Sequence, residues 1–220
     1  MEPESELLKY IVKDIVFSDY KLNILALINS PKINWLRLKY LLTYHELAAF
    51  LYIIIKKSAN IPQEFSLFLK NIYFQQLNSY LRLHDELMLV LKDSRNKNLT
   101  MIPLKGFSYS EQYYKRFGFR PLVDIDLLIK KDDFEKGLRL LEDLGYKKLL
   151  LGATEDYWRK KQYHMEFMKV QEEYKIILEL HWALDYERNK KEPLATLWSS
   201  LHKIRLENDE FYVMSPEDTF

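Results

Sequence analysis

The spacing of hydrophobic positions changes near residue 98. Up to about residue 93, apolar side chains recur every three or four residues, as they do from Trp35 to Ile53, and this period indicates amphipathic helices. From residue 99 onward, short apolar runs alternate with helical patterns, which is typical of strands joined by helices. The pattern therefore predicts a helical N-terminal region over residues 1–97 and an α/β region over residues 98–220.

Six apolar runs predict the strands of the second region: LTMIPLKG, VDIDLLI, KKLLL, the hairpin pair YHMEFMKV and KIILELHW, and FYVM at 211–214. Two helices are predicted between them. The first is FSYSEQYYKRFG, ending at Gly118, and the second is DDFEKGLRLLEDLGY, with Asp132 as N-cap and Gly145 just past its end. The predicted fold class is α+β, with a mixed sheet flanked by helices.

The last residues carry a helix start signal. Ser215 suits an N-cap, Pro216 the first helical position and Asp218 the first turn. Because the sequence stops at Phe220, we expect a further helical segment that starts at 215 and is truncated.

Composition narrows the class of protein. Hydrophobic residues make up 48% and charged residues 30%, as in soluble globular proteins, and the net charge of +1 gives no general attraction to nucleic acid or anionic membranes. No cysteine is present, which excludes disulfides, thiolate metal sites and cysteine nucleophiles. The longest apolar run, at 47–55, is too short to span a bilayer, and the N-terminus is acidic where a signal peptide would be basic. We therefore expect a cytoplasmic protein without a membrane partner.

Two aspartates interrupt the apolar run VDIDLLI. Asp124 and Asp126 are two positions apart, so on a strand they would share one face about 6.6 Å apart, while Val123, Ile125 and Leu127 would pack on the other. Two converging carboxylates repel each other unless a cation lies between them, and oxygen ligands favour Mg²⁺. The alternative is an amphipathic strand with a solvated polar face.

A third carboxylate strengthens the metal interpretation. In KIILELHW, Glu179 and His181 share one face of the predicted strand. If this strand lies beside the aspartate strand, the three acids form a minimal cage for two divalent ions about 3.5–4 Å apart. The alternative is a surface glutamate without a special role.

The segments LKG, FGFRPLVDIDLL, LGY and LELHWAL, in this order, resemble a little-characterised nucleotidyltransferase family of the DNA polymerase β-like superfamily. The resemblance extends from near Trp35 to residues 215–218. It implies that Asp124 and Asp126 are catalytic metal ligands and that Glu179 occupies the third acidic position. It also implies two Mg²⁺ ions, with Mn²⁺ as an alternative, and transfer of a nucleoside monophosphate from a nucleoside triphosphate to a hydroxyl group, with release of pyrophosphate.

The phosphate-binding turn departs from the superfamily pattern. Such proteins have a Gly-Gly or Gly-Ser pair there, whereas this chain has Gly106 followed by Phe107. Phosphate contacts are therefore predicted from Lys105, Gly106, Ser108 and Arg120. The alternatives are a solvated role for Lys105 and a structural ion pair for Arg120.

Several points stay open at the level of sequence. We expect His181 to be held by hydrogen bonds near the site rather than bound to metal, and His164 has the same interpretation with less support. A non-catalytic or regulatory protein on the same fold, a metal-dependent nuclease or phosphodiesterase, and a toxin-like enzyme acting on RNA ends are the other functions. The acceptor (small molecule, protein or RNA end), the preferred nucleotide and the oligomeric state are not predicted.

Overall fold

The structure is a computed structural model that describes residues 2–56, 60–109, 121–184, 194–206 and 209–215. These residues form two compact units, which divide inside a long helix between Leu81 and Arg82, with Pro121 in the first unit. The predicted change at residues 97–98 coincides with the end of that helix at Asn96. The domain boundary between residues 97 and 98 stays a prediction.

The first unit is helical, as predicted. Its helices are α1 (Pro3–Phe17), α2 (Lys21–Ile28), α3 (Trp35–Tyr44), α4 (Ala48–Ile55) and the first part of α5 (Gln63–Asn96). Their apolar faces bury a common core that includes Leu7, Ile24, Leu38, Leu51 and Leu69. Helices of 8 to 15 residues are marginal alone, so this shared core supplies most of their stability.

The second unit contains a mixed five-stranded sheet, which confirms the predicted α+β class. Its strands are β1 (Met101–Pro103), β2 (Ile125–Ile129), β3 (Lys147–Lys148), β4 (His164–Gln171) and β5 (Tyr174–His181), in the spatial order β1-β2-β5-β4-β3. Among the described strands of this sheet, β2 and β5 are parallel neighbours and the other neighbouring pairs are antiparallel. The other described elements are α6 (Lys105–Tyr109), α7 (Phe134–Asp143), α8 (Glu155–Lys161), α9 (Leu194–Ser199) and the pair β6 (His202–Leu206) and β7 (Asp209–Val213).

The sheet has two chemically distinct faces because side chains alternate along each strand. One face, here called the apolar face, carries Leu127, Leu178, Leu180, Met165 and Phe167, all buried, together with Lys169 on β4 and Lys148 on β3. Helix α7 packs closely against this face, since a Cβ on Gly137 would lie 2.7 Å from Ile129 Cδ1. The opposite face, here called the carboxylate face, carries Asp126, Glu166, Glu179, His164 and His181.

Some sequence predictions are wrong in detail. Strand β2 begins at Ile125, so Asp124 precedes the strand, and Val123 is 76% exposed instead of packed. Helix α7 is preceded by a 3-10 turn, which places Asp133, not Asp132, at the cap position. The end of α7 is confirmed, since Gly145 has a φ of +88° just beyond it.

Other differences concern elements that the apolar pattern did not predict: α8, α9 and β6. The predicted strand KKLLL is paired as a strand only over Lys147–Lys148. The predicted helix after LKG is described only as far as Tyr109, and Gly118 lies outside the described residues. Of the predicted C-terminal helix start only Ser215 is described, and it is buried.

Candidate active site

Asp126 and Glu179 are direct neighbours on the carboxylate face. The parallel register of β2 and β5 pairs Asp126 with Glu179, and the flanking pairs Ile125–Leu178 and Leu127–Leu180 point to the apolar face. The alternation of apolar and acidic residues in IDL and LEL places both carboxylates on the same face, and the register of the two strands places them side by side. The side chain of Asp126 is 8% exposed and that of Glu179 is 20% exposed.

His181 bridges the two carboxylates. Its Nε2 lies 3.1 Å from Asp126 Oδ1 and 3.0 Å from Glu179 Oε2, and its side chain is only 2% exposed. Burial alone would lower the pKa of His181, but the two carboxylates outweigh it and raise the pKa. An imidazolium that donates from Nε2 to either acid fits this geometry, which matches the expectation that His181 is held by hydrogen bonds.

Lys105 also reaches the same oxygen. Its Nζ donates to Asp126 Oδ1 at 3.1 Å, although most of the lysine side chain is exposed. Burial acts to raise the pKa of Asp126, but the bonds from His181 and Lys105 dominate and lower it to about 2. Burial likewise acts to lower the pKa of Lys105, and Asp126 more than offsets it. Lys105 is therefore paired with a carboxylate here and is not simply solvated.

Asp124 adds a further negative charge from the segment just before β2. Burial raises its pKa, and the nearby charges of Asp126 and Glu179 raise it further. Asp124 is thus placed close enough to the other two predicted ligands for their charges to interact. The structure brings together all three acids that the sequence singled out.

A fourth acid, Glu166, was not predicted. Its position on β4 is the register partner of Glu179, and burial together with the charges of Glu179 and Asp124 raises the pKa of Glu166. The signal was present in the sequence: in YHMEFMKV, His164 and Glu166 alternate with Met165 and Phe167 in the same way as Glu179 alternates with Leu178 and Leu180.

The predicted phosphate-binding residues are only partly described. Gly106 lies in the first turn of α6, where a Cβ would come within 2.5 Å of Leu122 Cδ2, so the turn is closely packed. Phe107 has its ring 5.5 Å from that of His84. Ser108 belongs to α6, but its side chain is outside the described part, and Arg120 lies outside the described residues altogether.

The acids have the chemistry to hold a divalent cation, although the ligand atoms that lie within 4.8 Å of one another in the described part of the chain are those of His164, Glu179 and His181. Asp124, Asp126, Glu166 and Glu179 bring four carboxylates to the cluster, and Lys105 and His181 are the described cationic groups bound to them. Carboxylate oxygens are the ligands that Mg²⁺ prefers, and added positive charge would offset the repulsion from Asp126 and Glu179, which after burial is the next cause of the raised pKa of Asp124.

A comparison with protein families places this site in context. The model of a family described as uncharacterised nucleotidyltransferase matches residues 31–220. The chain belongs to this family. The assignment confirms the resemblance to a nucleotidyltransferase family, and membership supports nucleotidyl transfer in general as the chemistry. No relative matches among the curated proteins.

Three solved structures are similar to parts of this chain. A lincosamide antibiotic adenylyltransferase, LnuA, bound to lincomycin, is 21% identical, with a TM-score of 0.44 over 61% of this chain and 82% of that one. A protein from Thermotoga maritima described as a nucleotidyltransferase is 14% identical, with a TM-score of 0.44 over 64% of this chain and 80% of that one. ANT(2")-Ia in complex with adenylyl-2"-tobramycin is 15% identical, with a TM-score of 0.37 over 57% of this chain and 65% of that one.

No helix in the described part of the chain combines the length and apolar character needed to cross a membrane.

Proposed function

We propose that this protein is a metal-dependent nucleotidyltransferase that moves a nucleoside monophosphate from a nucleoside triphosphate to an acceptor hydroxyl and releases pyrophosphate. The observation that carries the proposal is the register pairing of Asp126 with Glu179, with Asp124 beside them, on one face of the sheet. Within a nucleotidyltransferase family, three converging carboxylates supply the ligands for divalent ions.

In this proposal Asp124, Asp126 and Glu179 hold the ions, with Mg²⁺ as the physiological metal and Mn²⁺ as a substitute. The bound ions would neutralise charge on the triphosphate and activate the acceptor hydroxyl. Asp126 would hold metal in place of its present partners, His181 and Lys105. Lys105, whose side chain is largely exposed, would then be free to contact a phosphate oxygen.

Glu166 has a different role in this scheme. It lies across from Glu179, and burial followed by the charges of Glu179 and Asp124 raises its pKa, while His164 Nε2 lies 3.9 Å from its Oε1, beyond hydrogen-bonding distance. A carboxylate of this kind accepts protons more readily than the tightly paired Asp126 does. Glu166 is therefore the group proposed to accept the proton of the acceptor hydroxyl.

The test is incubation of the protein with each α-³²P nucleoside triphosphate, Mg²⁺ and a cell extract, followed by identification of the labelled product and measurement of pyrophosphate. We expect one or more triphosphates to label an acceptor, with loss of labelling after chelation of Mg²⁺. Glu179→Gln should abolish labelling. Glu210→Gln, at an exposed glutamate on β7 that pairs with Lys203, is the matched control and should not.

Absence of metal-dependent labelling with every triphosphate would reject the proposal. Mg²⁺-dependent cleavage of phosphodiesters in the extract, without transfer of label or release of pyrophosphate, would instead favour the hydrolytic alternative. A γ-³²P triphosphate serves as the chemical control, because nucleotidyl transfer leaves its label in pyrophosphate and not in the acceptor.

A further inference from the structure

Two histidines and a glutamate converge on the carboxylate face. His164 and His181 are register partners on β4 and β5, with ring centroids 5.0 Å apart. His164, His181 and Glu179 each offer one ligand atom, and these three atoms lie within 4.8 Å of one another. Two imidazole nitrogens with one carboxylate form a donor set that suits zinc and related transition metals better than Mg²⁺, which prefers oxygen alone.

His164 is not satisfied by its surroundings. Its side chain is 14% exposed, its Nδ1 has no hydrogen-bond partner in the described part of the chain, and its Nε2 is 3.9 Å from Glu166 Oε1, beyond hydrogen-bonding distance. The rings of Trp158 and Tyr163 lie beside it, at centroid distances of 5.9 and 4.8 Å. A buried imidazole without a hydrogen bond costs free energy, and a metal bond to its nitrogen would remove that cost.

The hydrogen-bond distance between His181 and Glu179 is only slightly shorter than the separation of two ligand atoms on one zinc ion. His181 Nε2 is 3.0 Å from Glu179 Oε2. Around a tetrahedral zinc ion with bonds of about 2.0–2.1 Å, adjacent ligand atoms are about 3.3–3.4 Å apart. A small separation of the Glu179 and His181 side chains would admit the ion, and His164 would approach by side-chain rotation.

We infer that His164, Glu179 and His181 form a binding site for one zinc-class divalent cation, with a fourth coordination position left open. The cation replaces the proton on Nε2 of His181, so binding releases that proton to solvent. Metal binding at this site is independent of nucleotide.

A consequence follows at the shared ligand, and it rests on the proposed function. Glu179 belongs both to this site and to the proposed Mg²⁺ cage, and a zinc ion bound there would repel the Mg²⁺ ions and draw the Glu179 carboxylate toward the histidines. Zinc bound by the histidines therefore competes with Mg²⁺-dependent transfer, and micromolar zinc should inhibit the reaction in a way that excess Mg²⁺ overcomes only partially.

The test is titration of the metal-free chain, without a polyhistidine tag, with Co²⁺ in the absence of nucleotide. Tetrahedral cobalt bound by nitrogen gives strong visible absorption, whereas an octahedral oxygen site gives weak absorption. We expect one Co²⁺ per chain, displaced by one equivalent of Zn²⁺ and retained in millimolar Mg²⁺. His164→Gln and His181→Gln should each weaken Co²⁺ binding at least about tenfold. His202→Gln, at an exposed histidine on β6, is the control and should not change it.

Lack of strong cobalt absorption in the wild-type protein, or unchanged affinity in His164→Gln, overturns the inference. If His181→Gln does not fold, as judged by circular dichroism, His164→Gln alone decides. Asp124→Asn separates this inference from the proposed function. Because Asp124 is not among the three ligands, the variant should keep Co²⁺ binding and lose nucleotidyl transfer. Cobalt binding without any nucleotidyl transfer by the wild-type protein would leave the zinc-class site standing and reject the transferase, and the reverse result would do the opposite.

Discussion

The two faces of the five-stranded sheet both hold buried charge, but they balance it differently. On the apolar face the most buried ion pair joins Lys169 Nζ to Glu86 Oε1 on α5 at 2.7 Å, and the two side chains are 17% and 4% exposed. Lys148, the register partner of Phe167, is also paired, with Glu142 and Glu155. The ammonium group of Lys169 lies 5.5 Å from the centre of the Tyr146 ring. One cation meets one anion, and the ring covers the cation, so the pair has no remaining charge to offer a ligand.

On the carboxylate face the charges do not balance. Four acids meet two described cationic groups; burial first, and then the charges of neighbouring acids, raises the pKa of Asp124 and of Glu166. The sheet therefore carries paired charges on the apolar face and more acids than described cationic groups on the carboxylate face. This difference separates a structural ion pair from a cluster that is suited to bind cations.

The largest expected effect comes from removing charge on the carboxylate face. Asp126→Asn should lower nucleotidyl transfer by at least about a thousandfold, because loss of a metal ligand removes several kcal/mol of transition-state stabilisation and each 1.4 kcal/mol corresponds to about tenfold in rate. Steady-state kinetics at saturating Mg²⁺ measures the effect. Asp156→Asn, at an exposed acid paired with Lys160 on α8, is the matched control. A loss of less than tenfold in Asp126→Asn would remove Asp126 from the proposed metal site.

The opposite face should show a large effect on stability instead. Glu86→Ala leaves the buried ammonium group of Lys169 without its carboxylate, which costs about 3–5 kcal/mol of unfolding free energy. Urea denaturation followed by circular dichroism measures the cost. The double variant Glu86→Leu/Lys169→Met removes both charges and should recover most of the loss. If Glu86→Ala cost less than about 1 kcal/mol, the ion pair would be energetically equivalent to an exposed one.

Sequence patterns predicted the acids of the site better than their surroundings. Alternation within IDL and LEL indicated that Asp126 and Glu179 each oppose an apolar face, because a period of two is imposed by the strand itself. Their pairing depends on the parallel register of β2 and β5, which is set by packing between segments distant in sequence. The position of Asp124 was predicted less well, since the strand begins one residue later.

The elements that were missed are short and have weak apolar periods. Helix α8 has seven residues and buries only Trp158, so its signal lies in its ends: Thr154 accepts a hydrogen bond from the backbone N–H of Tyr157, and acids precede bases along the helix. The reach of Lys105 to Asp126 is likewise invisible in sequence, because it depends on where the turn after β1 places an extended side chain.

The smallest expected effect tests the charge excess directly. Asp124→Asn should slightly raise the unfolding free energy of the metal-free protein at pH 7, by less than about 1 kcal/mol after allowance for solvent screening. The folded state raises the pKa of Asp124, so ionised Asp124 destabilises the fold above that pKa, and the asparagine removes the penalty. The gain should disappear below the pKa of the unfolded carboxyl group, about 3.9, where both states are protonated.

In the presence of Mg²⁺ the wild type should be more stable than the Asp124→Asn variant. A cation bound by the wild-type cluster stabilises the folded state, and the variant binds that cation more weakly. Thermal unfolding with and without Mg²⁺ measures both effects. Asp143→Asn, at an exposed acid that pairs with Lys97, is the control and should respond little to either condition. If the metal-free Asp124→Asn protein were less stable than the wild type, the charge of Asp124 would be compensated in the folded state. Glu166 would then be the acid that supports an excess of negative charge on the carboxylate face.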